Sequence, residues 1–152
     1  MADLLPTMTI KAIGIVRNDV ERTPEEQDWW AGLVSEIVIA PSLTEALDGL
    51  EGFSHIMVLY WMHLIAADEM PLKVHPMGRQ EVPLQGIFAT RTPNRPNRIG
   101  KATVKLLQRQ GNILMVKGLD ALNGTPVIDI KPYLPGYDSV ADAEVPQWIA
   151  NR

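Results

Sequence analysis

Between Ala89 and Gly100 the chain reads Ala-Thr-Arg-Thr-Pro-Asn-Arg-Pro-Asn-Arg-Ile-Gly, which can build neither a regular helix nor a central strand. Proline has no N–H to donate, fixes its own φ and pushes the residue before it toward extended geometry. A loop so rich in proline has lost much of its conformational freedom before folding. It holds Arg91, Arg95 and Arg98 in a nearly set arrangement, suited to gripping a carboxylate or phosphate through forked N–H donors. Taken alone, the same loop reads more readily as a solvated basic turn.

Charge is distributed unevenly around this loop. The chain has 14 basic and 18 acidic residues, a formal charge of -4. From Val82 to Leu119 there are seven basic residues (Arg91, Arg95, Arg98, Lys101, Lys105, Arg109, Lys117) and no acidic one. Elsewhere seven basic residues face 18 acidic ones, or -11. An acidic protein with one basic strip is not a general polyanion binder, because global repulsion opposes non-specific association. It suits a local anionic ligand or a defined segment of nucleic acid.

The 152 residues fit one domain, residues 1–152, with a core over about 8–135 and a polar, loosely held tail over 136–152. Cysteine is absent, which excludes disulfides and thiolate chemistry. The longest apolar run, Ile56 to Met62, is too short to span a bilayer, and the N-terminus lacks a signal-peptide pattern. A cytoplasmic location without membrane association is expected. His55, His63 and His75 match no metal-ligand spacing, so no metal is expected. The Trp29-Trp30 pair reads as packing or dimer interface rather than a stacking platform.

The pattern is mainly β. Thr9 to Val16 alternates with β-branched residues and predicts an early strand, followed by a second over Val34 to Ile39. Leu43, Ala46, Leu47 and Leu50 repeat at helical spacing after Pro41, with Ser42 and Glu45 at capping-box separation. His55 to Met62 is a continuous apolar run, read as a buried strand. A loop occupies Ala66 to Pro83, and a short strand from Leu84 to Ala89 delivers the arginine loop. Ala102 to Leu107 and Ile113 to Leu119 flank a hairpin connection over Gln108 to Asn112. Val127 to Ile130 is a last strand. Short strands with frequent turn signals predict an antiparallel barrel or sandwich, with one or two short helices.

A second constellation runs from Gly118 to Tyr133. Asn123-Gly124 is a turn dipeptide tolerant of positive φ. Period-two alternation would put Val127, Asp129 and Lys131 on one face and turn Ile128 and Ile130 to the core. Asp129 and Lys131 then form either a structural ion pair or part of a polar site beside the arginine loop.

Taken in order, these segments resemble the TsaA-like family, also called TrmO-like. The resemblance is carried by Gly86-Ile87-Phe88-Ala89-Thr90-Arg91, Arg95-Pro96-Asn97-Arg98-Ile99-Gly100 and Gly124-Thr125-Pro126-Val127-Ile128-Asp129-Ile130-Lys131-Pro132-Tyr133. Ile13-Gly14-Ile15-Val16-Arg17 and Leu50-Glu51-Gly52-Phe53-Ser54-His55 support it. It spans roughly Ile10 to Pro135. It implies a small antiparallel β-barrel that binds S-adenosylmethionine as a homodimer, with the cofactor near the subunit interface. It further implies a methyltransferase acting on N6 of threonylcarbamoyladenosine in tRNA.

The same resemblance suggests residue roles. His63, Arg91, Asp120, Asn123, Gly124 and Thr125 are candidates for holding the cofactor, Arg91 through its methionine carboxylate. His63 reads equally as a hydrogen-bonded strand-end histidine. Arg95 and Asn97 are structural or substrate-facing. Asp129, Lys131 and Tyr133 are candidates for the reaction, Asp129 or a water taking a proton while Lys131 or Tyr133 polarises the neighbouring carbonyl.

The chain departs from the family pattern in four places. Arg98 stands where proline is common, Pro24-Glu25-Glu26-Gln27-Asp28 where a Pro-Arg-Gln-like segment is frequent, and Asn123 where aspartate is common. No counterpart of the C-terminal region of longer bacterial members is expected after the barrel. Two alternatives to a tRNA methyltransferase stay open: a non-catalytic dimeric barrel binding an adenosine ligand, and a methyltransferase acting on a small molecule.

Overall fold

Strand-to-strand pairing closes the chain on itself. The structure is a computed structural model describing residues 4–66 and 70–150, so residues 67–69 of the expected Ala66–Pro83 loop lie outside it. Its strands are β1 (Gly14–Arg17), β2 (Val34–Ile39), β3 (His55–Trp61), β4 (Lys73–Val74), β5 (Gln85–Gly86), β6 (Ile99–Gln110), β7 (Ile113–Lys117) and β8 (Pro126–Pro132). Six form a closed antiparallel barrel in the order β1-β2-β7-β6-β3-β8, and β8 returns to pair with β1. Of the two architectures expected, the barrel is the one found. Closure leaves its main sheet with no free edge.

The barrel is filled from alternate positions on each strand. Val16, Ile37, Ile56, Val58, Leu114, Val116 and Val127 are fully buried. β3 is not buried throughout: Ile56, Val58 and Tyr60 point inward, while His55 and Trp61 are exposed and Met57 and Leu59 half-buried. Apolar residues on both faces disguise the alternation. At one end Arg109 reaches in from β6, donating to Asp48 at 2.9 Å, Glu51 at 3.2 Å and the Thr44 carbonyl at 3.1 Å.

Several local expectations are corrected. β1 begins at Gly14 rather than Thr9, because its ladders to β2 and β8 both start there. Gly14 is required at that crossing, since a Cβ would sit 2.6 Å from the Val38 carbonyl oxygen. Pro41–Leu47 is a 3-10 turn, not an α-helix, and Ala40 rather than Ser42 precedes it with no side-chain cap. Its bonds are of i→i+3 type, as from Leu43 N–H to the Ala40 carbonyl, and it ends where Asp48 takes up extended geometry (ψ 128°). The expected strand Leu84–Ala89 is only two residues of β5 followed by a 3-10 turn, Ile87–Ala89. β6 runs on to Gln110, so only Gly111 (φ 62°) and Asn112 connect it to β7.

β8 departs from simple alternation. Tyr60 pairs with Val127 but the preceding Leu59 pairs with Asp129, so Ile128 is an extra, bulged residue. Val127 therefore points into the core instead of sharing a face with Asp129, and Ile130 packs against the core from outside the bulge. After the barrel come two short helices, α1 (Pro135–Asp138) and α2 (Gln147–Ala150). Arg79 ties the tail down, its Nη1 donating to the Trp148 carbonyl at 2.8 Å. No described helix is long and apolar enough to cross a membrane.

Candidate functional site

The end of β3, the start of β6 and the approach to β8 meet at one end of the barrel, where Tyr60 pairs with both Gly100 and Val127. The segment from β5 through Ile87–Ala89 brings the arginine loop over this end. Between them opens a cavity of about 650 Å³. Ligand pockets typically measure roughly 300–1,000 Å³.

Among the polar groups on its wall, Tyr60, Arg91 and Asp120 are linked electrostatically. Burial pushes the Tyr60 hydroxyl to a higher pKa, the Asp120 charge adds to that rise, and the Arg91 charge partly offsets it. Partial burial also raises the pKa of the Asp120 carboxyl from its ordinary value, although the residue stays exposed to water. Among the described residues Arg91 has no ion-pair or hydrogen-bond partner, whereas its neighbours are committed. Arg95 Nη1 donates to the Thr90 and Thr92 carbonyls, both at 3.1 Å, and its guanidinium lies 6.0 Å from the Phe88 ring centre. Arg98 Nη2 donates to the Ala66 carbonyl at 3.2 Å. The loop is thus braced by two arginines and presents the third.

The Asp120–Thr125 turn is held by Asn18. Its Nδ2 donates to Ser35 Oγ and to the Ala121 carbonyl, both at 3.0 Å, and its Oδ1 accepts from Val20 N–H at 2.9 Å. Asn123 joins the same lattice, its Oδ1 accepting from Asn18 N–H at 3.1 Å and its Nδ2 donating to Glu21 Oε1 at 2.9 Å. Gly124 turns the chain at φ 85°. Thr125 closes the turn through Oγ, which donates to the Leu122 carbonyl at 2.7 Å.

The structure gathers His63, Arg91, Arg95, Asp120 and Thr125 around the cavity. Asn97, Asn123, Gly124, Asp129, Lys131 and Tyr133 are not among its lining residues. Asp129 and Lys131 pair at 2.9 Å on the outer surface, and Asp129 Oδ1 also accepts from Ile130 N–H at 2.9 Å, bracing the bulge. The Tyr133 ring meets the His55 ring edge-on at 6.4 Å. Sequence reasoning missed Tyr60, inside an apolar run, and Trp29, read as packing; both line the cavity. It also missed Asn18, for which the sequence carries no local signal.

Residues 16–139 match the model of the tRNA-methyltransferase O N-terminal domain. The chain belongs to that family. A probable S-adenosyl-L-methionine-binding protein of Methanothermobacter thermautotrophicus is 47% identical over 133 residues, covering 86% of this chain and 93% of the relative. An S-adenosyl-L-methionine-binding protein of Archaeoglobus fulgidus is 41% identical over 139 residues, covering 90% of this chain and 97% of the relative. A crystal structure of TrmO superposes with a TM-score of 0.74 at 36% identity, over 92% of this chain. This member of the tRNA-methyltransferase O N-terminal domain family spans 64% of that TrmO chain.

Proposed function

We propose that the cavity binds S-adenosylmethionine and that the protein transfers its methyl group to N6 of threonylcarbamoyladenosine in tRNA. The observation that carries this reading is the convergence of Arg91, a guanidinium unpartnered among the described residues, with the Asp120 carboxylate in one cavity. That donor set fits the cofactor: Arg91 matches its carboxylate, and Asp120 can accept from ribose hydroxyls. Trp29 and Phe88 give apolar walls suited to a purine.

When bound, S-adenosylmethionine supplies a methyl group already activated on a sulfonium. The chain's own task is alignment and proton management. Arg95, braced by Thr90 and Thr92, holds the loop so that Arg91 stays aimed at the cavity. A urea-like N6 is a poor nucleophile and must lose its proton. Asp129, outside the cavity of its own protomer, would serve that step from the rim or from a second copy. The reading includes a homodimer, in which a second copy covers Leu64 and Phe88, 62% and 78% exposed on the cavity wall.

A second reading is favoured by one observation: none of Asp129, Lys131 and Tyr133 lines the cavity. In it the protein binds the cofactor without transferring methyl, or passes it to a small molecule. Calorimetric titration with S-adenosylmethionine tests the shared premise. Replacing Arg91 by alanine should weaken binding about ten- to a hundredfold, as expected for a charged hydrogen bond of roughly 1.5–3 kcal/mol. Incubation with methyl-labelled cofactor and bulk tRNA separates the readings: label in tRNA supports transfer, and binding without label supports the second. Light scattering of the purified protein tests the dimer.

A further inference from the structure

Strand pairing assembles a basic outer face that meets the cavity at Lys101 and extends beyond it. On β6 the outward residues Lys101, Thr103 and Lys105 lie opposite Leu59, Met57 and His55 of β3, and Lys105 also lies directly opposite Lys117 of β7. Lys131 of β8 faces outward beside Met57. Of these four lysines, only Lys131 has a carboxylate partner among the described residues, Asp129. Glu36, on the next strand, is already paired with Arg17 at 3.1 Å. Two ammonium groups directly across an antiparallel pair repel each other. Lys105 and Lys117 therefore form a site whose unmet need is negative charge.

The face also has a direction. Lys101, about 13 Å along β6 from Lys105 at strand rise, lines the cavity. Beyond it Trp61, 50% exposed, pairs with Ile99 and lies 5.9 Å from the ring of His63, itself a cavity residue. Lysines without counter-charges leading to an exposed indole at a cavity mouth match how single-stranded nucleic acid is held, backbone on cations and base on an aromatic face. A docking protein of acidic character would use the lysines but not this order. The segment containing Glu25, Glu26 and Asp28 runs between Thr23 and Trp29, which line the cavity, so the phosphate backbone is better served by the β6 side.

We infer that the outer face carrying Lys101, Lys105 and Lys117 is the track for an RNA backbone, with Trp61 stacking a base beside the cavity mouth. This rests on the proposed RNA-modifying role and assigns the surface through which the substrate arrives.

The test measures binding of a fluorescein-labelled tRNA by anisotropy, over a series of salt concentrations, to the full chain and its variants. The double variant Lys105→Gln/Lys117→Gln should bind at least tenfold more weakly at low salt. Its plot of log affinity against log salt should flatten by about 1.5, the effect of two lost phosphate contacts. S-adenosylmethionine titration should be unchanged, and removing the repelling pair should leave thermal stability equal or higher. Trp61→Ala should weaken RNA binding several-fold without altering the salt slope, and Trp61→Phe should restore most of it. Wild-type affinity and slope in the double variant would overturn the track while leaving the RNA reading standing. No RNA binding by the wild type would overturn both. Displacement of the RNA by polyglutamate at equal charge would reassign the face to an acidic protein partner.

Discussion

The ring of Tyr60 lies directly over the Cα of Gly100, its partner across the β3–β6 pair. A Cβ at that position would be 2.5 Å from Cε2 and Cζ of the ring and 2.9 Å from its hydroxyl oxygen. The glycine thus sets how deeply Tyr60 can sit between the core and the cavity. Gly100→Ala should destabilise the protein by about 1–3 kcal/mol, the usual cost of overpacking. In a Tyr60→Leu background the same change should cost under about 1 kcal/mol, because the two effects are coupled. Urea denaturation of the four proteins measures this. Strictly additive costs would show that the contact does not restrain the ring.

Asp120 offers a test through pH. Burial raises its pKa in the folded state, so the folded protein holds the proton more tightly than the unfolded chain. The stability this contributes is complete below the ordinary carboxylate range and is lost as pH rises through the raised value. At neutral pH the carboxylate is therefore charged at a cost to folding. Asp120→Asn should be more stable than the wild type at pH 7 and lose that advantage at pH 4, as read from urea midpoints at both values. Its affinity for S-adenosylmethionine should fall. A variant less stable at pH 7 would contradict the burial argument.

Asn18 is the joint between the β1–β2 connection and the cavity turn. Its side chain satisfies the buried Ser35 hydroxyl, the Ala121 carbonyl and the Val20 N–H together. Asn18→Ala orphans these groups and should cost about 1–3 kcal/mol. Because Ala121 and Leu122 line the cavity, cofactor affinity should also drop. Thermal unfolding alongside calorimetry checks both; unchanged stability would mean that water replaces the amide completely.

Much of the barrel was readable because its inner residues obey a simple period. Val34–Ile39 has the expected bounds and its burial alternates, although the sequence does not, since Ser35 faces in while Val34 and Val38 face out; Gly111 marks the β6–β7 turn. The bulge at Ile128 was not readable, since one extra residue shifts the phase of everything before it and nothing in Val-Ile-Asp-Ile announces the slip. The site divides in the same way. Arg91 and Asp120 stand in local segments whose composition is unusual, whereas Tyr60, Trp29 and Asn18 acquire their places only when distant strands close the barrel. The capping-box spacing at Ser42 misleads for a physical reason: the Pro41–Leu47 turn starts after Ala40, so Ser42 lies inside it rather than at its N-cap.

Asp129 tests whether the outer surface takes part in chemistry. Its bond to Lys131 is 2.9 Å long but both side chains are about half exposed (44% and 56%), so the pair should contribute less than about 1 kcal/mol. Asp129→Asn should therefore unfold within about 1 kcal/mol of the wild type and bind S-adenosylmethionine with unchanged affinity, because the residue is outside the cavity. If the carboxylate removes the acceptor's proton, the rate of methyl transfer to tRNA should nonetheless fall at least a hundredfold, the usual scale for loss of a general base. Lys131→Gln shares the surface position without the base, and should reduce transfer far less. Equal transfer rates in wild type and Asp129→Asn would remove Asp129 from the reaction and leave the proton to a group lining the cavity.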